Sequence, residues 1–134
     1  SKGLDTELVV YGRLPLMITE NCLVQNETGC RLDRQGPCVP EDGPCRCGQP
    51  NVLVDRTGAA FPLLPAYGHR TEIQNSKPLY LADRPEHRRL GLAYARLRFT
   101  TETAEECVSV VQNYLDAAPA AGDFTRGLYE RGVE

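Results

Sequence analysis

The sequence predicts a mixed α/β module that combines a β-hairpin with a cysteine-rich metal-binding loop. Short apolar runs broken by Gly and Pro are typical of strands, and one segment near the C-terminus carries apolar residues at helical spacing. In addition, most of the cysteines lie in one loop at residues 21–48.

Composition and charge limit the classes of protein to which the chain can belong. The chain has 134 residues, 41% of them hydrophobic and 25% charged, with a formal net charge of −3. These values are ordinary for a folded domain with one core, so we expect a single module over residues 1–134. No apolar run approaches the roughly 18 residues of a membrane span, and the N-terminus lacks the features of a signal peptide. We therefore expect a cytoplasmic protein without membrane contact.

Four segments are predicted to be extended: residues 7–19, 51–64, 66–75 and 93–100. In the first, continuous apolar runs favour strands buried on both faces, and a helix is disfavoured because Pro15 would remove an internal hydrogen bond. In the second, Gly58 lies between two short strands, which predicts a β-hairpin.

Two segments have helical features. The clearest helix follows Thr103, which forms a capping box with Glu106 ahead of an apolar stripe that includes Val108, Val111 and Leu115. Residues 79–90 are also expected to be helical, with Gly91 after the last turn. The module is thereby divided into a cysteine-rich loop at 21–48, a hairpin at 51–64, an α/β part at 75–118 and a tail at 122–134.

The cysteine-rich loop is the segment that most suggests chemistry. It has almost no apolar periodicity, so packing does not explain why five of the 6 cysteines lie there. It ends in Cys45-Arg46-Cys47-Gly48, and the glycine lets backbone amides turn toward a thiolate, as in metal knuckles. Without an export signal, metal binding is favoured over the alternatives, disulfides and free thiols. Zinc or an iron–sulfur cluster would suit four thiolates, and zinc would also suit Cys₃His.

The other candidate residues have simpler structural interpretations. Cys107 lies beside the apolar stripe of the predicted helix and is expected to be a small core residue. Cys38 lies in a local insertion and is the least favoured ligand of the loop. His87 is surrounded by charged residues and is expected on the surface. His69 follows the hairpin, where it can reach toward the cysteines or remain an ordinary loop residue.

Arginines near the C-terminus suggest a further surface. Arg96 and Arg98 point to one face of a strand by the period-two rule, and Arg126 and Arg131 would join them in an anion-binding face if the tail lies alongside. The ordinary alternative is a solvated strand face. The sequence contains no phosphate-binding glycine loop, no His-Glu-x-x-His and no Gly-x-Ser-x-Gly motif, and a Cys–His peptidase pair is not favoured.

Several consecutive motifs resemble the U32 peptidase (collagenase-like) family. They occur in the family's order over nearly the whole chain, from about residue 7 to the end, and their succession is more specific than any one of them. The motifs are Tyr11-Gly12-Arg13-Leu14-Pro15-Leu16-Met17 ahead of Cys22, Leu53-Val54-Asp55-Arg56-Thr57-Gly58 with Phe61-Pro62, Asn75-Ser76-Lys77-Pro78-Leu79-Tyr80-Leu81, and Phe124-Thr125-Arg126-Gly127.

The resemblance implies that the chain is the C-terminal portion of a longer protein whose N-terminal part resembles a (β/α)8 barrel. The remainder of that protein would then be its partner, and this portion alone would be inactive. The family was named for peptide hydrolysis, whereas some members are implicated in oxygen-independent hydroxylation of tRNA, rRNA or quinone precursors. A non-catalytic, metal-stapled domain that holds substrate is the third alternative. An uncovered edge would also expose apolar strand surface, so a homo-oligomer is expected.

The resemblance also implies a set of ligands. Hydroxylating members hold an iron–sulfur cluster with cysteines, and the matching positions here are Cys22 and Cys47, with Cys30 as a plausible third. Some relatives have a further cysteine directly before an arginine, and this chain has His69 at that place. The fourth ligand is therefore expected to be His69 or Cys45, and the metal either zinc or the iron of a cluster.

Overall fold

The computed structural model describes residues 4–28 and 46–129. They form a mixed α/β structure with two sheets and few helices, which confirms the predicted class. Both sheets end in edge strands, so no barrel closes within the described residues, and the relation to a (β/α)8 barrel stays a prediction. The strands are β1 (Glu7–Gly12), β2 (Pro15–Thr19), β3 (Asn51–Val54), β4 (Ala60–Ala66), β5 (Arg70–Gln74), β6 (Leu79–Tyr80) and β7 (Tyr94–Leu97); the α-helices are α1 (Leu23–Thr28) and α2 (Ala104–Leu115); 3₁₀ helices lie at Arg46–Gly48 and Pro85–Arg89.

The described residues divide into two compact units. Those before Pro15 and after Ser76 form the first unit, and those from Pro15 to Ser76 form the second unit. The expectation of one module over residues 1–134 stays a prediction. No helix in the described ranges is both long enough and apolar enough to cross a membrane.

The first unit is built around β1, the central strand of a sheet with the order β6-β1-β7. β1 pairs antiparallel with β6 and parallel with β7. Val10 and Tyr11 are adjacent in β1, so their side chains point to opposite faces of the sheet. Val10 packs with Leu79 and Leu81, whereas Tyr11 packs with Tyr80 and Ala82. Apolar residues thus cover both faces of β1, as its continuous apolar run predicts.

The predicted helix after Thr103 is confirmed as α2. The Thr103 side chain accepts a hydrogen bond from the Glu106 amide, and the Glu106 carboxylate accepts one from the Thr103 amide, which completes the capping box. Val110 and Tyr114 are the α2 residues that pack against the core. The predicted apolar stripe, to which Tyr114 and Cys107 also belong, is therefore only partly confirmed: Tyr114 packs against the core, whereas Val108, Val111 and Leu115 are 71%, 41% and 71% exposed.

The prediction of a helix over residues 79–90 is wrong. The run from Leu79 to Ala82 is fully buried, and its first two residues form β6 opposite β1. The chain then turns and forms a 3₁₀ helix at Pro85–Arg89. A continuous buried run of this length fits a strand between covered faces as well as it fits a helix, so periodicity could not distinguish the two. Gly91 follows with a positive φ of 65°, in keeping with its expected place after the last turn.

The second unit contains an antiparallel sheet with the order β2-β5-β4-β3. The predicted hairpin is confirmed, because β3 pairs with β4 from Asn51 opposite Leu63 to Val54 opposite Ala60. Asp55 closes its turn by accepting hydrogen bonds from the Thr57 hydroxyl, the Thr57 amide and the Ala59 amide at 2.7, 2.7 and 3.0 Å. The hydrogen bond from the Thr57 side chain is the main cause that lowers the pKa of Asp55. The strand expected at residues 66–75 corresponds to β5 and the end of β4.

Two features of the second unit differ from the sequence analysis. The cysteine-rich loop begins with a short helix, α1, which the loop assignment did not include. In addition, β2 is not buried on both faces, since Leu16, Met17 and Ile18 are each more than half exposed. β2 is an edge strand of the sheet, so fewer neighbouring residues cover its side chains.

Candidate metal centre and the residues around it

Cys22 lies in a turn that is fixed to the sheet of the second unit. It is 7% exposed and packs with Val24 and Leu63. The next residue, Leu23, donates its amide hydrogen to the hydroxyl of buried Thr71 at 3.0 Å, and this contact ties the start of α1 to β5. A cysteine that follows an exposed edge strand is therefore held in the core by its neighbours.

Cys47 lies at the C-terminal end of the loop and packs against the same core. It lies in the 3₁₀ helix at Arg46–Gly48 and packs against the cluster that contains Cys22. The side-chain amide of Asn51 donates to the carbonyls of Arg46 and Gln49 at 2.9 and 2.7 Å, which fixes this turn at the start of β3. Two of the predicted ligands that are distant in sequence therefore lie at the same apolar cluster.

His69 lies in the turn between β4 and β5, where it has a left-handed φ of 59° after Gly68. It lines a cavity of about 630 Å³ together with residues that flank Cys22, among them Glu20 and Asn21. Arg70 donates to the Glu20 carboxylate in the same wall at 3.0 Å. The structure therefore places His69 on a polar cavity beside the turn that carries Cys22.

The other predicted ligands, Cys30 and Cys45, lie outside the described residues, as does Cys38. Within residues 4–28 and 46–129, no three side chains of His, Cys, Asp or Glu come together in a way that would hold a metal ion. If the thiols of Cys22 and Cys47 share a metal with residues outside the described ranges, a soft metal such as zinc or iron suits them better than magnesium or calcium. The five-residue ligand set remains a prediction.

Arg126 is held in the first unit by contacts that sequence reasoning missed. Its guanidinium forms two hydrogen bonds to Asp83, at 2.6 and 2.8 Å, donates to the Tyr80 carbonyl at 2.6 Å, and lies 4.5 Å from the centre of the Phe124 ring. The hydrogen bond from Arg126 lowers the pKa of Asp83. The Phe124-Thr125-Arg126-Gly127 motif is thus part of the fold, since Thr125 also forms a bridge to Leu79.

These contacts argue against the predicted anion-binding face. Arg126 is largely buried and neutralised by Asp83, and Arg96 forms an ion pair with Glu7 at 2.9 Å. The Arg98 guanidinium donates to the Arg13 carbonyl at 3.4 Å. Arg131 lies outside the described residues. Two of the four cations are therefore paired with carboxylates.

A second polar contact in the first unit joins Tyr11 to Glu102. The Tyr11 hydroxyl donates to the Glu102 carboxylate at 3.1 Å, and the amides of Thr100 and Thr101 donate to the same carboxylate at 2.7 and 3.0 Å. Burial, and then the negative charge of Glu102, raise the pKa of Tyr11. Burial alone would raise the pKa of Glu102, but the amide hydrogen bonds outweigh it and lower that pKa.

Two further predictions about single residues need correction. His87 was expected on the surface, yet it is only 4% exposed, because the 3₁₀ helix that starts at Pro85 turns it inward. Cys107 was expected in the core, yet it is only half-buried, like the other α2 residues nearest to the core. Because the neighbours of His87 in the sequence are charged, the sequence did not indicate that its side chain is buried.

Comparisons with known proteins found no relative: no family model, no curated protein and no solved structure matches the chain. The U32 resemblance and the activity that it implies therefore remain predictions based on the motifs.

Proposed function

We propose that the chain is the C-terminal part of a U32-like (collagenase-like) peptidase homologue that holds one metal centre in its second unit. Cys22, Cys47 and Cys30 are three of the ligands, and Cys45 or His69 is the fourth. The observation that supports this proposal most strongly is that Cys22 and Cys47 pack against the same apolar cluster. The metal is zinc or the iron of an iron–sulfur cluster.

The small apolar cluster of the second unit supports the proposal of such a centre. Among the described residues, its buried members are Cys22, Val24 and Leu63, and Leu23, Cys47 and Ile73 pack against them. A core of this size contributes little stability, and small folds commonly add a metal or disulfides to compensate. Because the ligands come together only in the folded chain, the free energy of metal binding adds to the free energy of unfolding.

The metal can be identified by purifying the full chain without oxygen and measuring its absorption spectrum and its metal and sulfide content. A brown protein with iron and sulfide supports the redox form of the proposal, and a colourless protein with one zinc per chain supports the structural form. A protein that contains neither metal, and whose native cysteines react freely with an alkylating agent, contradicts the proposal.

A second candidate function is a part in an RNA-hydroxylating enzyme, in which this unit also holds the substrate. The observation that favours it is Tyr67, which is 97% exposed at the tip of the β4–β5 hairpin, next to His69 and Arg70. Exposed aromatic side chains stack on unpaired bases. The third alternative, a non-catalytic substrate-binding domain, would use the same surface.

The second candidate predicts that replacing Tyr67 weakens the binding of single-stranded RNA. Tyr67→Ala removes the binding free energy that stacking of one base on an aromatic side chain contributes. It should therefore weaken binding about tenfold in a fluorescence anisotropy titration. Tyr94→Ala, which removes an exposed tyrosine from the first unit, is the control and should have little effect. Equal affinities of the two variants would argue against RNA as the substrate of this surface.

A further inference from the structure

The first unit contains a cavity that the proposed metal centre does not use. It has a volume of about 380 Å³ and is lined by residues of α2, of β7 and of the 3₁₀ helix at Pro85–Arg89. Most of its wall is apolar, including Leu92, Ala95, Val111 and Leu115. Sites for small organic ligands have volumes of about 300–1,000 Å³, with apolar walls and a few polar groups that orient the ligand. This cavity has both properties.

His87 is one of the polar groups in the wall. It is 4% exposed, and its buried Nδ1 atom has no hydrogen-bond partner among the described residues. Buried polar atoms without a partner are uncommon and call for an explanation. A neutral imidazole has one N–H donor and one acceptor nitrogen, and with the proton on Nε2 the ring could donate a hydrogen bond to a ligand.

Arg88, the next residue, supplies a positive charge to the same cavity. Its Nη2 atom donates to the Tyr114 carbonyl at 2.8 Å, which holds the guanidinium beside α2. In the described part of the chain Arg88 has no carboxylate partner, in contrast to Arg126 and Arg96. A guanidinium has five N–H donors arranged to bind a carboxylate, so donors remain for a ligand.

We propose that this cavity binds a small amphipathic monocarboxylate, such as a medium-chain fatty acid or an arylalkanoic acid. The carboxylate accepts hydrogen bonds from Arg88 and from Nε2 of His87, and the apolar body lies against Leu92, Ala95, Val111 and Leu115. The positive charge favours an anion, and burial of apolar surface against the wall favours an organic anion over a small inorganic one. Such a ligand would also cover part of the exposed side of α2. The proposal concerns the first unit and does not depend on the metal centre.

The test is a titration of the full chain with sodium octanoate, followed by NMR of the backbone amides. Octanoate should give saturable shifts in β7, α2 and the 3₁₀ helix at Pro85–Arg89, and acetate should give none. Arg88→Gln should weaken octanoate binding about tenfold, as expected for the loss of one charge-assisted hydrogen bond. Arg89→Gln, which removes an exposed arginine next to it, should leave the affinity unchanged. Ala95→Phe should fill the cavity and abolish binding.

Several outcomes would overturn the proposal. One is that Arg88→Gln and Arg89→Gln bind octanoate with equal affinity. Another is that Ala95→Phe binds octanoate as the unmodified chain does. A third is that the unmodified chain binds octanol as tightly as it binds octanoate. The octanol comparison needs no variant, so it decides the question even if a substitution prevents folding. A further outcome is that the chain self-associates as its concentration rises, that Ala95→Phe prevents this association, and that octanoate does not. This result would show that a second copy of the chain covers this face instead.

Discussion

At the scale of single residues, the motifs that carry the U32 resemblance have clear structural roles. Gly12 sits where β1 passes close to the chain after β7, with a φ of 124°, and a Cβ atom added to it would lie 2.2 Å from the Arg98 carbonyl oxygen. Asp55 closes the β3–β4 turn, and Arg126 is bound to Asp83. The sequence identified these residues as a pattern, but only the structure shows that they maintain the fold.

Gly12 gives a prediction about stability. Gly12→Ala should lower the free energy of unfolding by about 4 kcal/mol, since the left-handed φ and the clash with a backbone oxygen both oppose a side chain. Gly58→Ala is the matched control, because Gly58 also has a positive φ, of 86°, but open space beside it. It should cost only about 1–2 kcal/mol. Urea denaturation measures both values, and equal losses would show that the close approach at Gly12 is not rigid.

At the scale of elements, the sequence correctly predicted the helix and the hairpin that short local motifs mark. The capping box at Thr103 and the glycine turn at Gly58 were sufficient to identify α2 and the hairpin. Nothing in the sequence indicated that residues 79 and 80 form a strand, because this strand is fixed by its pairing with β1, which is distant in sequence. The prediction of a helix over residues 79–90 was wrong for that reason. For the same reason, the burial of His87 and the exposure of Val108 depend on neighbours that a helical period does not reveal.

Tyr114 is the residue through which α2 is attached to the sheet. Its hydroxyl donates to the Val10 carbonyl and accepts a hydrogen bond from the Leu81 amide at 2.8 Å. Tyr114→Phe leaves both backbone groups without this partner and should lower the free energy of unfolding by about 2 kcal/mol. Tyr94→Phe, at an exposed tyrosine, is the control and should have no measurable effect.

The same residue gives a prediction about alkaline pH. Burial raises the pKa of Tyr114 to about 12, whereas a tyrosine in an unfolded chain titrates near pH 10, at about its ordinary value. Between these values the unfolded chain releases a proton that the folded chain retains, so stability falls as the pH rises from about 10. The fall should be less steep in Tyr114→Phe, and an unchanged slope in denaturation curves would contradict this assignment.

At the scale of the whole molecule, the two units differ in how their stability arises. In the described residues, the first unit has apolar residues on both faces of β1, with Tyr11 and Tyr80 buried, whereas the second has a small cluster around Cys22, against which Cys47 packs. Exposed apolar side chains along β2, β3 and α2 are consistent with the predicted self-association, which sedimentation at increasing protein concentration would measure. Which of the predicted ligands lie at the same cluster could not be predicted from the sequence, since spacing does not reveal which thiols share a core.

The most direct test of the central claim is the metal content of three serine variants, measured by elemental analysis after anaerobic purification. If Cys22 and Cys47 bind the same centre, Cys22→Ser and Cys47→Ser should each lose most of the bound zinc or iron. Cys107→Ser, which changes a half-buried thiol in the first unit, should retain the full amount. Retention of metal by both Cys22→Ser and Cys47→Ser, at the level of the unmodified chain, would contradict the account.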